Sequence, residues 1–430
     1  MEILLKDIKL LVDPHEGVDQ KRVNIVIEED RITEISSNAQ IPSPEYVIDG
    51  KALIVLPPSI NSHTHLPMTL LRGYSDNKVL YEWLADIWAI EGKFDAKWIE
   101  LGTKLACLEA IKAGTGGTFD FYFQESVIGR VLDQAGIRGW LGAGLLPSAF
   151  VDQGGLESQL KDFERVIEEV KTSSLLNAAI APHSPTTVEE EHLLQARDLA
   201  AKHNIPISIH ASETRKEVLD CEEKHGVPPV ERLDQISFFQ EGTKEVVAHC
   251  AWITQREVEI LGKHHAMVAW CPTSAQKLAY AGVTPIPELR KAGAVVALGT
   301  DGTASNNTLD LWREMREGVN MVSFTRWDPA IYPAEEVLED THWSFRNYFL
   351  PESQIAVGNK ADLVVVNFHS PHLQPIHNVV SNLVYAANGS DVHSLVVDGK
   401  LLMHERNVLS LDEKKILDEI ETKVPDLIKD

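Results

Sequence analysis

Between residues 54 and 301, short apolar segments rich in β-forming residues alternate eight times with stretches of helical periodicity. The first starts in Ala52-Leu53-Ile54-Val55-Leu56, is carried through Pro57-Pro58-Ser59-Ile60 and ends at His65. The others cover 117–123, 139–146, 177–183, 206–211, 246–250, 266–271 and 294–301. Apolar residues recur at helical spacing in 98–113, 156–170, 189–203 and 255–262. Strands that alternate with helices pair in parallel, because each crossover helix returns the chain to the same end of the sheet. Eight such units predict a (β/α)8 barrel.

The flanks follow another pattern. Residues 1–56 give short strands and turns, with Val23-Asn24-Ile25-Val26-Ile27-Glu28, a turn at Glu29-Asp30, and an alternating Arg31-Ile32-Thr33-Glu34-Ile35. Residues 358–367 turn into a strand, 392–403 give two more around Asp398-Gly399, and 411–430 read as a charged helix. Residues 1–56 have too little apolar surface to bury a good core alone. The terminal segments, 1–56 and 358–430, are therefore expected to join into one small β-sandwich, with a barrel domain of 57–357 inserted between them. The aromatic-rich 323–350 yields no clear element.

A barrel of this kind carries its chemistry at the C-terminal ends of its strands. His63, His65, Asp120, His183, His210, His249 and Asp301 all fall there. The chain has 17 histidines in 430 residues, so five at strand ends is far from random placement. On a strand, residues i and i+2 share a face, which pairs His63 with His65. His63, His65, His210 and Asp301 can offer three imidazole nitrogens and a carboxylate to one divalent ion. Such an ion lowers the pKa of a bound water from 15.7 to roughly 7. Glu213, just past His210, is placed to shuttle protons. His249 is placed to hydrogen-bond the attacking water or polarise the substrate. Glu213, His249 and Asp301 are thus the catalytic candidates.

Each has a plainer reading. A lone His210 would be a satisfied core histidine, Asp301 an N-cap, and Glu213 an ordinary first-turn carboxylate. The coincidence of four candidate ligands at strand ends outweighs these. His183 reads as a substrate contact or a structural hydrogen bond, and Asp120 as structural. Cys250 and Cys271 read as small buried hydrophobes. Glu91, on pattern alone, is a surface charge.

The net charge of −24 repels nucleic acid and anionic membranes, which leaves a small molecule as the expected partner. The four cysteines form no C-x-x-C, and no apolar run reaches membrane-spanning length. Without a signal-peptide pattern at the start, a cytoplasmic protein is expected, assembled as a homo-oligomer.

Several stretches together resemble one family: Asn61-Ser62-His63-Thr64-His65-Leu66-Pro67 running on to Gly73, Pro182-His183-Ser184-Pro185, His210-Ala211-Ser212-Glu213, Ala248-His249-Cys250, Gly299-Thr300-Asp301-Gly302 with Ala304-Ser305-Asn306-Asn307, and Lys360-Ala361-Asp362-Leu363. The chain resembles the amidohydrolase superfamily, and within it the methylthioadenosine/S-adenosylhomocysteine deaminase branch, which also contains triazine chlorohydrolases. The resemblance implies one divalent ion, zinc or iron, held by His63, His65, His210 and Asp301. It implies Glu213 as proton shuttle, His249 beside the attacking water, and Glu91, His183 and Ser305 in contact with a nucleoside. The implied reaction is hydrolytic deamination of 5′-deoxyadenosine, methylthioadenosine, adenosine or S-adenosylhomocysteine to the inosine analogue and ammonia. The alternative is a deaminase or chlorohydrolase acting on another N-heterocycle of guanine, cytosine or s-triazine type. A binuclear amidase would bring a bridging lysine at the end of strand four, and 177–183 contains none.

Two departures from the resemblance stand out. The family members that bind a homocysteine tail offer arginines after strand three, whereas here no arginine lies between Arg138 and Arg165. The loop 145–150 is instead expected to give an apolar wall with one hydroxyl. The family's small-residue helix before the closing strands is replaced by Thr341-His342-Trp343-Ser344-Phe345-Arg346-Asn347-Tyr348.

Overall fold

A computed structural model describes residues 1–19, 21–146 and 155–428. Its first five strands are β1 (Glu2–Leu10), β2 (Val23–Glu28), β3 (Arg31–Ser36), β4 (Tyr46–Asp49) and β5 (Leu53–Leu56). Eight follow in the middle of the chain: β6 (Ser59–Thr64), β7 (Thr115–Tyr122), β8 (Arg138–Leu145), β9 (Leu176–Pro182), β10 (Ile207–Ala211), β11 (Glu245–His249), β12 (Met267–Trp270) and β13 (Val295–Leu298). The last four are β14 (Leu363–Asn367), β15 (Val392–Val397), β16 (Lys400–His404) and β17 (Asn407–Val408).

Strands β6 to β13 lie in sequence order, each parallel to the next. The predicted (β/α)8 barrel is therefore present. Ile60, Phe119, Trp140, Val246, Met267 and Ala297 fill its interior. Leu141, Ile180, Ile209 and Val268 belong to the outer core, which the surrounding helices share. No ladder joins β13 to β6. The circle closes instead where the Asp301 N–H donates to the His63 carbonyl at 3.0 Å. Beside this, the Asn61 amide accepts from the Thr300 N–H at 3.0 Å and donates to its hydroxyl at 2.7 Å. The approach is so close that a Cβ on Gly299 would lie 2.9 Å from the His63 backbone, so only glycine fits there.

The run from Ala52 to Ile60, read from sequence as one strand, is two strands in two sheets. Pro57 and Pro58 have no N–H to donate, so the ladder cannot pass through them. β5 pairs with β1 and β14, and β6 opens the barrel.

The terminal segments form a second sheet in the order β17-β16-β15-β14-β5-β1-β2-β3, with β4 added to β1. β1 serves both halves of it. Its first part pairs with β2 and β4, while Lys9 and Leu10 pair with β5. The change of partner follows a bulge at Asp7, whose φ of 52° is left-handed. The two arms share one core, in which Ile3, Leu5 and Ile27 meet Val55, Leu363 and Val396. That is the small sandwich expected from the two termini.

The segment 323–350, unreadable from sequence, is helical. Helices Leu311–Arg326, Ala334–His342 and Ser344–Phe349 account for 19 of its 28 residues. The last of these plugs the barrel from below. Phe345 and Phe349 lie against Trp140, with ring centroids 4.8 and 5.6 Å apart. The same helix ties barrel to sandwich through Asp362, which is fully buried. The Asp362 carboxylate accepts from Arg138 of β8 at 2.9 Å and from Arg346 at 2.7 Å. Arg138 also reaches Asp398 at 3.1 Å. Among the described residues, no helix is long and apolar enough to cross a membrane.

Candidate active site

The strand ends bring the sequence candidates together. His63 lies on β6 and His65 follows its end. An irregularity in the β6–β7 register between Asn61 and Thr64 accompanies the inward turn of both rings, whose centroids are 4.9 Å apart. His210, on β10, faces His63 with their Nε2 atoms 3.1 Å apart. Asp301 Oδ1 lies 3.1 Å from His65 Nε2 and 3.9 Å from His63 Nε2. His249 ends β11 with a left-handed φ of 73°, which lays its ring parallel to that of His210 at 5.4 Å. Ligand atoms of His63, His65 and Asp301 lie within 4.8 Å of one another, and so do those of His63, His210 and His249.

Outer groups hold these side chains in place. The His65 Nδ1–H donates to the Phe121 carbonyl at 2.5 Å, and the His210 Nδ1–H to the His183 carbonyl at 2.8 Å. In the neutral rings this tautomer leaves both Nε2 lone pairs facing the centre, as a metal requires. Asp301 Oδ2 accepts from Ser274 at 2.6 Å and from Ser305 at 2.8 Å, and Oδ1 from the Gly302 N–H at 2.8 Å. Ser305, implied by the resemblance to touch substrate, is thus turned toward Asp301 and is fully buried behind it.

The electrostatics fit a cation. Burial and the neighbouring imidazoles hold His63 and His210 well below the ordinary histidine value, so both are neutral donors of a lone pair. Burial opposes charge on Asp301 as well, but His65 and the other imidazoles keep it ionised. Burial disfavours a charged His65, yet the Asp301 carboxylate raises it to about 9. The cluster therefore draws in positive charge. Two lone-pair nitrogens facing each other at 3.1 Å, with an ionised carboxylate beside them, suit a divalent ion of the zinc or iron kind.

Above the cluster lies a concave cavity lined mostly by apolar and aromatic side chains with a few convergent polar groups, the make-up of a small-molecule site. Its floor carries His65, His210, His249 and Asp301. Leu80, Trp83, Leu84 and Trp88 of the helix Leu80–Glu91 line one side, together with Phe123 and Leu146. No lysine or arginine lines it among the described residues. Of the expected apolar wall 145–150, Leu146 lines the cavity, and 147–150 lie outside the described residues.

Glu213 lines the cavity with its Oε1 3.8 Å from His249 Nε2. Burial pushes its carboxyl up, against the pull of His249 and of a hydrogen bond with the Tyr280 hydroxyl. Its backbone N–H donates to Glu217 at 2.8 Å, which fixes the turn after β10. Glu91, which reads as a surface charge on pattern alone, is 2 % exposed and lines the cavity. It accepts from the Tyr122 hydroxyl, and burial pushes it up to about 7. His183 lines the same space, bonded through Nδ1 to Thr187 at 2.8 Å and lowered by burial to about 4. Asp120 accepts the Leu66 N–H at 2.7 Å and so anchors the chain just after His65. Tyr122, Ser274, Tyr280 and the tryptophans of the helix Leu80–Glu91 are absent from the sequence reading. Tyr122 ends β7, while the others come from loops and helices whose reach toward the strand ends no local pattern encodes.

The fold and the site define a class, the (β/α)8-barrel enzymes with a metal site of histidines and an aspartate at the strand ends. Residues 54–402 match the amidohydrolase family, and the chain belongs to that metal-dependent family. Among its relatives is a Methanosarcina mazei protein named 5′-deoxyadenosine deaminase, 35% identical over 432 residues that cover 99% of this chain and 98% of that one. A Thermococcus kodakarensis protein named 5-methylthioadenosine/S-adenosylhomocysteine deaminase is 38% identical over 407 residues, 94% of each chain. The crystal structure of an adenosine deaminase from Xanthomonas campestris with bound zinc superposes with a TM-score of 0.91 at 27% identity, covering 99% of this chain and 98% of that one. A zinc complex of atrazine chlorohydrolase from Arthrobacter aurescens, at 18% identity and a TM-score of 0.86, is alike in fold alone; it covers 98% of this chain and 100% of that one.

Proposed function

We propose that this protein hydrolytically deaminates an adenine nucleoside, replacing the C6 amino group by oxygen and releasing ammonia. The observation that carries the reading is the placement of Glu213 and His249 against the cluster of His63, His65, His210 and Asp301, at the floor of a largely apolar cavity. The names of the full-length relatives agree with it.

His63, His65, His210 and Asp301 would hold one divalent ion, and zinc suits the donor set. When bound, the ion supplies a water activated for attack at neutral pH. Glu213 takes a proton from the attacking water and delivers it to ring N1, a task suited to a buried carboxyl with a raised pKa. The proton on N1 draws electrons out of the ring, so C6 accepts the new bond. His249 donates a hydrogen bond to the incoming oxygen and steadies Glu213. Glu91 and His183 contact the nucleoside, Glu91 as an acceptor for its hydroxyls. Ser305 serves the substrate indirectly by aiming Asp301. The catalytic unit is the barrel domain 57–357, braced by the composite domain 1–56 and 358–430. We place this domain pair in a cytoplasmic homo-oligomer.

The test is to load the protein with zinc, add adenosine, 5′-deoxyadenosine, methylthioadenosine and S-adenosylhomocysteine, and follow the ultraviolet shift from adenine to hypoxanthine. Guanine, cytosine and an s-triazine complete the panel. Turnover of the adenine nucleosides is expected, with one ion per chain by elemental analysis. Turnover confined to the other heterocycles would overturn the substrate assignment, and a need for two ions would overturn the single-ion site.

A further inference from the structure

Tyr280 sits on the loop that follows the short helix Pro272–Lys277, with Ala279 and Ala281 on either side in left-handed conformation at φ 53° and 58°. The loop is pinned to the end of β11. The Trp252 indole N–H donates to the Tyr280 carbonyl at 2.8 Å, and the Thr284 hydroxyl donates to the His249 carbonyl at 2.8 Å. A Cβ on Gly282 would lie 2.6 Å from the Ala251 carbonyl oxygen, so the loop lies flat against that strand end. The ring of Tyr280 is buried, lines the cavity, and meets the His249 ring edge-on at 6.1 Å. A backbone this constrained holds its side chain in one place.

The Tyr280 hydroxyl has two partners. One is the Glu213 carboxyl, which shares the cavity wall with it and raises the phenol, and the other is the Ser274 hydroxyl, in hydrogen-bond contact at 3.3 Å. The bookkeeping of protons decides between them. Ser274 has one proton, and Asp301 Oδ2 claims it at 2.6 Å. Ser274 can then only accept on the Tyr280 side. Tyr280 also has one proton, and an ionised carboxylate outcompetes a neutral hydroxyl for it. The phenol therefore donates to Glu213. When Glu213 takes up a proton and loses its charge, Ser274 is at hand as a second acceptor, so the phenol is never a buried donor without a partner.

We propose that Tyr280 is a positioning residue for Glu213: its hydroxyl anchors one carboxyl oxygen and leaves the other free to carry the shuttled proton. No proton changes owner along Tyr280 and Ser274; only the phenol O–H reorients. The inference rests on the role of Glu213 proposed above.

The test is a double-mutant cycle of Tyr280→Phe and Glu213→Gln, run on the best substrate of the panel. Tyr280→Phe is expected to lower kcat about 10- to 100-fold, the loss of one hydrogen bond to a charged group, with KM within about threefold. In the Glu213→Gln background the same change should cost almost nothing further, because the group it positions is gone. Losses that multiply in the double variant, an effect on KM alone, or an unchanged kcat would each overturn the proposal. A second readout needs no substrate. The Glu213 carboxylate stretch, assigned from the infrared difference between wild type and Glu213→Gln, should shift in Tyr280→Phe, and an unmoved band overturns the anchor. This readout stands even if adenine nucleosides prove not to be substrates. If Phe is not tolerated, shown by a collapsed melting transition, Tyr280→Met removes the hydroxyl with another shape and the same cycle applies.

Discussion

At the scale of single residues, Glu213 and Glu91 share a property and differ in use. Both are carboxyls in a largely apolar cavity, and burial raises both. Glu213 is not one of the proposed ligands, so Glu213→Gln should keep its ion while turnover falls about 10²- to 10⁴-fold. Near-normal turnover in a variant shown by elemental analysis to be metal-replete would remove it from the mechanism. Glu91 sits farther along the cavity and is pushed up to about 7. Ionised, it is the stronger acceptor, so kcat/KM should rise as pH climbs through about 7. Glu91→Gln should flatten that limb, and an identical profile in wild type and variant would show that Glu91 does not set it. The histidines and Asp301 were legible in the sequence because a parallel barrel puts chemistry at strand ends, and strands announce themselves by apolar runs. Glu91 was not, because a carboxylate at the end of an amphipathic helix has the pattern of a solvated charge. Only the packing of the helix Leu80–Glu91 over the barrel mouth buries it.

At the scale of elements, the eight barrel strands were legible to within a few residues, each bounded by a helical stretch. Two features were not. The break at Pro57-Pro58 is visible as chemistry, yet whether it ends a strand or only bends one depends on which sheet each half joins. The plug Ser344–Phe349 is six residues long, too short for helical periodicity to speak. Its aromatic side chains have meaning only against Trp140. The same helix supplies Arg346 to Asp362, and this joint carries an energetic expectation. Burial opposes charge on Asp362, but Arg138 and Arg346 hold its carboxyl far below the usual carboxylate range. Asp362→Ala takes the carboxylate away from the buried Arg346 and leaves Arg138 with Asp398 alone, and should cost about 3–5 kcal/mol. Urea denaturation reads this as a lowered midpoint, and an unmoved midpoint would mean that water satisfies both arginines.

At the scale of the whole molecule, the composition of the cavity sets which nucleoside fits. A carboxylate leaving water needs a charged donor, best met by a bidentate arginine. The described wall offers Leu80, Trp83, Leu84, Trp88, Phe123 and Leu146 instead. Arg72, the nearest arginine in sequence to the His63–His65 pair, is already engaged by Glu109 and the Asn307 carbonyl. S-adenosylhomocysteine would leave its tail carboxylate without a partner, at about 1.5–3 kcal/mol. 5′-Deoxyadenosine, methylthioadenosine or adenosine should therefore show the higher kcat/KM, by about 10- to 150-fold. Side-by-side kinetics with S-adenosylhomocysteine ahead by about tenfold, some 1.4 kcal/mol, would sink this expectation.

The barrel is sealed by hydrogen bonds between Asn61 and Thr300, partners 239 positions apart in the chain. Contacts of such separation bear the largest loop-closure cost and tend to form late. His63 and Asp301 flank that seam, so their side chains meet only once the intervening seven strands have been laid down in order. A chain that ends soon after β6 would present His63 on that strand and His65 just past it, with nothing to complete them. On the ligand set proposed above, folding would act as a timer on metal capture: the ion would be gathered by the finished barrel rather than by its first strand. Pulse-labelling hydrogen exchange during refolding should find the amides of Thr300 and Asp301 among the last to become protected.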